Sequence, residues 1–249
     1  MPSPIVIPLI PSYRDYPYLQ QLSQECFSIL KDDRNYRIDE QVVKIIGRAK
    51  SILEQERGLV VKDRIFLNGY SSSGVFAQRF ALLHPDIVET ACIGGASGSI
   101  PIPTEKLAYP LGIADYESLT GKRFDLESYS KIKFRYYVGE LETQNKSNSR
   151  FDDFGQPAPM HDMSYFDRSV PTEVGKYQRS VLGTEMFSRA QKTIQILQSL
   201  GIDVQHKIIL GRGHNNRNGI GVNELADKFV NDTYKSTIKS REINYGVSR

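Results

Sequence analysis

Cysteine is scarce, with only Cys26 and Cys92 in 249 residues. Two isolated thiols, one in a helical pattern and one in an apolar run of strand type, make neither a disulfide framework nor a zinc site. Apolar runs stay far short of membrane-spanning length. The N-terminus also lacks a charged region followed by a signal-type apolar core. Basic residues are scattered: the net charge is +3, with no dense cluster interleaved with aromatics, so nucleic-acid binding is not indicated. There is no internal repeat and no domain linker. As written, the chain reads as a cytoplasmic protein with no membrane partner, or an extracellular one if its true start lies upstream of Met1.

What remains is 39% hydrophobic and 24% charged, which suits one sizeable domain with a real core. Strand-like and helix-like segments alternate, the pattern of an α/β fold with a mostly parallel sheet and helices on both faces. Strands are expected near Ile5–Leu9, Ile65–Leu67, Thr90–Ile93, Phe134–Val138 and Val204–Leu210. Helices are expected at Leu19–Leu30, from Asp39 to a stop at Gly58, from the turn after Leu67 to His84-Pro85, at Thr184–Leu200 and at Val222–Phe229. The domain spans 1–238, with an irregular segment at 143–171 and a polar tail at 239–249.

The segment Ile65-Phe66-Leu67-Asn68-Gly69-Tyr70-Ser71-Ser72-Ser73-Gly74-Val75-Phe76 is the densest in chemical meaning. An apolar strand runs into a Gly/Ser turn and then a helical pattern, with serine at the tip. That is the shape of a nucleophile elbow. Such a turn strains its nucleophile and crowds the residues two before and two after it, so both must be small. Ser71 meets the test with Gly69 and Ser73. Ser72 would place Tyr70 in the crowded slot, and Ser73 would place Val75 there. The same turn is also the shape of an anion site at a helix N-terminus. It is no P-loop, because no Lys followed by Ser or Thr comes after its glycines.

A serine nucleophile needs a base. His84 closes the elbow helix, His206 lies inside a strand, and His161 falls in the irregular segment. His214, in Leu210-Gly211-Arg212-Gly213-His214, follows the last strand on a flexible loop. It is the candidate, because sites in parallel sheets collect at the carboxyl edge.

The run Gly69-Tyr70-Ser71-Ser72-Ser73-Gly74-Val75-Phe76-Ala77-Gln78-Arg79-Phe80-Ala81-Leu82-Leu83-His84-Pro85 resembles the α/β-hydrolase superfamily, in its polyhydroxybutyrate-depolymerase and feruloyl-esterase-like branch. The resemblance covers about Ile5 to Asp232. It implies ester hydrolysis through a Ser-His-acid triad and an acyl-enzyme, with no cofactor and a small-molecule or acyl ester substrate. It places the acid in Gly139-Glu140-Leu141-Glu142, at Glu142, with Glu140, Asp152 and Asp153 as alternatives. The Ser72 N–H is one oxyanion donor. The family carries further strands before the elbow, one of which leads to a loop giving the second donor. This chain shows only Ile5–Leu9 there. The expectation is that Ile5–Leu9 joins the sheet, in a fold lacking N-terminal strands, and that no full second donor loop is present. The alternative function is therefore a catalytically impaired binding protein of the same fold.

The segment 143–171 carries Phe151, Phe154, Met160, Met163, Tyr165 and Phe166, the composition of a cap over an acyl or aryl pocket. Tyr70, Phe154 and Met160 are the candidate substrate contacts. Asp152, Asp153, His161 and Asp162 have no metal-ligand spacing, and no metal is expected.

Overall fold

Four short runs of β-branched and aromatic residues pair into one fully parallel sheet, in the order Ile65–Tyr70 (β1), Val88–Gly94 (β2), Lys133–Gly139 (β3) and Val204–Ile209 (β4). The computed structural model describes residues 4–10, 18–140, 172–183, 186–211 and 228–237. Parallel strands need crossovers, and helices supply them. The helices are Ile38–Arg57 (α1), Ser72–Leu83 (α2), Tyr116–Thr120 (α3), Leu126–Ser130 (α4), Thr172–Leu182 (α5), Met186–Ser199 (α6) and residues 228–237 (α7).

Side-chain alternation along the strands divides the core between the two faces. Ala91, Ile93, Phe134, Tyr136 and Val204 face one way and pack with Val75 and Phe80 of α2 and Ile194 and Leu197 of α6. Cys92, Tyr137 and Ile209 face the other way and meet Phe66, Tyr70, Phe229 and Val230. Helices thus cover both faces, as the sequence pattern implies. α2 is the central pillar, with every residue from Gly74 to Leu83 buried. Burial of each large apolar side chain there contributes roughly 1.5–3 kcal/mol. No helix among the described residues is long and apolar enough to cross a membrane.

Four segments depart from the sequence-based expectation. Ile5–Leu9 is not a strand: residues 4–10 lie outside the sheet, and Ile5, Ile7 and Leu9 are 82%, 85% and 93% exposed. Pro4 and Pro8 lack the N–H that a ladder needs, which outweighs the β-branched composition. Among the described residues the sheet therefore has four strands rather than five, and nothing pairs with the outer edge of β1. Leu19–Leu30 is not one helix but two 3₁₀ turns, Leu19–Gln21 and Gln24–Phe27, separated by Leu22 in the left-handed region at φ 51° and extended Ser23. Helix α5 was not expected. The last helix continues past Phe229 to residue 237, where the Thr237 and Thr90 hydroxyls lie 3.1 Å apart beneath the sheet.

Candidate active site

The strands end together, at Tyr70, Gly94, Gly139 and Ile209, so whatever follows each one gathers at a single edge. Ser71 stands between β1 and α2 with φ 57° and ψ −124°, a region L-residues avoid. Neither Ser72 nor Ser73 has positive φ; both belong to the first turn of α2. The strained serine is the one that the small-neighbour test picked.

The turn is locked from several sides. Ser71 N–H donates to the Gly94 carbonyl at 2.9 Å, and its own carbonyl accepts from Val75 N–H at 2.9 Å. A Cβ on Gly69 would sit 2.2 Å from the Ser73 carbonyl oxygen, so only glycine fits there. The Ser73 hydroxyl accepts from Tyr70 N–H at 2.9 Å and donates to the Tyr70 carbonyl at 2.7 Å. Serine in the second small position thus staples the turn in a way glycine would not. Gly74, one place late for the usual pattern, has its own work. A Cβ there would come within 2.8 Å of the Gly94 carbonyl oxygen, so the glycine lets α2 press against the end of β2.

Ser71 and Ser72 are half-buried at the N-terminus of α2, whose first turn contains no acidic residue. Ser72 is the first residue of α2, so its N–H is one of those a helix leaves without an intrahelical partner and contributes to the helix's positive end. From the other side comes Gln21, whose Nε2 donates to Ser72 Oγ at 3.0 Å. Sequence reading passed over this residue. Tyr70 stacks on Tyr137 with ring centroids 6.0 Å apart, so its ring forms part of the packing at the carboxyl edge.

Two histidines are described, and neither reaches Ser71. His206 lies inside β4, three strands from β1 and so roughly 14 Å away. Burial lowers its pKa, which favours the neutral ring. His84 follows the far end of α2, roughly 18 Å from its start. There its Nε2 is 2.9 Å from Asp39 Oδ2, while the Arg37 guanidinium donates to Oδ1 at 2.9 Å and to Oδ2 at 2.6 Å. Glu40 completes the group, which is the one set of potential metal ligands among the described residues. Arg37 already occupies the face of Asp39 that a cation would need, so the cluster is an ion-pair lock between α1 and α2.

His214, Glu142, Phe154, Met160, Asp152, Asp153, His161 and Asp162 lie outside the described residues. Glu140 is placed, directly after β3. Its Oε2 accepts from the N–H of Gly211, three residues before His214 in the sequence, at 2.8 Å.

No family model matches the chain, and no curated protein does. Among solved structures it is similar to poly(aspartic acid) hydrolase-1 from Sphingomonas sp. KT-1, at 14% identity and a TM-score of 0.49, over 82% of this chain and 69% of that one. At that distance the likeness bears on neither substrate nor chemistry.

Proposed function

We propose that the protein is a serine hydrolase that cleaves ester bonds of a small-molecule or acyl substrate, with Ser71 as nucleophile. The single observation that carries the reading is the backbone of Ser71, held at φ 57° and ψ −124° between a parallel strand and a buried helix. Strain of this kind costs roughly 1–3 kcal/mol and persists where it presents a side chain for chemistry. An anion-binding turn needs backbone N–H groups but no strained serine at its tip.

In the proposed reaction, the Ser71 hydroxyl attacks the ester carbonyl carbon while His214 takes its proton. The Ser72 N–H stabilises the negative oxygen of the tetrahedral intermediate. Collapse breaks the C–O bond, and the alkoxide leaves with the proton from His214. Water, deprotonated by the same imidazole, then releases the acid and restores Ser71. Glu142 orients His214. The Glu140 carboxylate, bonded to Gly211 three residues before His214, supports Glu140 as the alternative acid.

A second reading, a binding protein that keeps this fold, draws on the outer edge of β1, where no strand pairs among the described residues and a backbone donor loop would otherwise enter. Labelling by a fluorophosphonate probe separates the two. The hydrolase reading expects the wild type to be labelled at Ser71, Ser71→Ala to be unlabelled, and short-chain p-nitrophenyl esters to be turned over. A folded wild type that shows neither labelling nor turnover would leave the binding protein.

A further inference from the structure

We infer that Gln21 is a catalytic residue whose side-chain amide donates the second hydrogen bond to the substrate oxyanion, beside the Ser72 N–H. The inference rests on the serine-hydrolase reading and adds the group that its mechanism lacks.

The amide is delivered to the right place. Gln21 Nε2 lies 3.0 Å from Ser72 Oγ, so it sits against the residue whose backbone N–H is the first donor. An amide nitrogen carries two hydrogens. One binds Ser72 Oγ, and the other can donate to an oxygen arriving at the N-terminus of α2. No acidic side chain stands in that first turn to repel such an oxygen. Among the described residues no strand pairs with the outer edge of β1, and the Gln21 amide is a donor placed beside Ser72.

The backbone that carries the amide is also held in place. Leu19 and Leu22 on either side are fully buried. The Gln21 carbonyl accepts from Arg79 Nη1 at 3.0 Å, and Arg79 is itself completely buried within α2. The Tyr109 hydroxyl donates to the Leu22 carbonyl. A residue needed only to fill space would not require its backbone tied to the helix that bears the nucleophile. Donors fixed before the reaction stabilise developing charge without reorganising.

The test uses the full chain and two variants, Gln21→Leu, which removes the donor, and Gln21→Glu, which keeps length and packing but turns an acceptor and a charge toward the oxyanion. For p-nitrophenyl butyrate, kcat should fall by about 10²–10³-fold. KM should stay within about threefold, because a ground-state carbonyl gains little from the donor. Affinity for a boronic acid, which mimics the tetrahedral intermediate, should fall in step with kcat, and the folding midpoint should hold in Gln21→Glu. A merely structural role would move the midpoint or KM instead. Retention of kcat within about threefold in Gln21→Glu, with wild-type Ser71 labelled by fluorophosphonate, overturns the role of Gln21 and leaves the hydrolase standing. A wild type neither labelled nor active overturns both.

Discussion

His84 Nε2 lies 2.9 Å from Asp39 Oδ2, which joins the C-terminal end of the elbow helix to the first turn of α1. Asp39 sits in the first turn of α1, where a negative charge is favoured. Burial alone would push the Asp39 carboxyl up, but hydrogen bonds from Arg37 and His84 outweigh it and hold the carboxyl well below the usual carboxylate range. A depressed carboxyl pKa contributes stability that is complete above the ordinary value of 3.8 and is lost as pH falls below it. Removing the charge with Asp39→Asn leaves the Arg37 guanidinium uncompensated, at a cost of about 3–5 kcal/mol. Urea unfolding at neutral pH should show that loss. The same measurement below pH 3.8 should show a flatter acid decline in the variant than in the wild type. Parallel acid limbs would mean that Asp39 is not the group titrating.

The elbow stores strain, so relaxing it should separate stability from activity. Glycine adopts the backbone of Ser71 without steric cost, at the expense of a more flexible unfolded chain. Ser71→Gly should therefore raise unfolding free energy by about 1 kcal/mol while abolishing ester turnover. Thermal unfolding of the two proteins side by side checks it. A variant less stable than the wild type would show that the Ser71 backbone is relaxed in solution.

Burial pushes both thiols, Cys26 and Cys92, up to about 12. Neither forms thiolate at neutral pH, and neither can serve as an alternative nucleophile. Ellman's reagent should find no reactive thiol in the folded protein and two after denaturation. Reaction of either cysteine on mixing with native protein would contradict the core packing described here.

The elbow and the four strands were legible because their signals are local. Gly69, the apolar run before it and the small Ser73 sit within a few residues of Ser71, and the sheet strands are enriched in β-branched or aromatic residues. Ile5–Leu9 carried the same composition, but Pro4 and Pro8 outvote it. Helix α5 was hidden for the opposite reason. It buries Gln178 between Val174 and Leu182 and leaves Tyr177 and Val181 exposed, so a polar residue interrupts its inner face and apolar ones lie on its outer face. The sequence Pro171-Thr172-Glu173 was the one start signal available. Gln21 was out of reach of any local reading. Its meaning depends on Ser72, 51 residues on, and a glutamine in a turn has no signature of its own. His84 could be placed at a helix end, while its partner Asp39, 45 residues earlier, emerges only from packing.

Arg79 within α2 holds the Gln21 carbonyl, and the Ser71 carbonyl, just before α2, accepts from Val75 N–H of the same helix. Both segments are thus fastened to α2 by hydrogen bonds, so a displacement of α2 acts on the serine and the glutamine together.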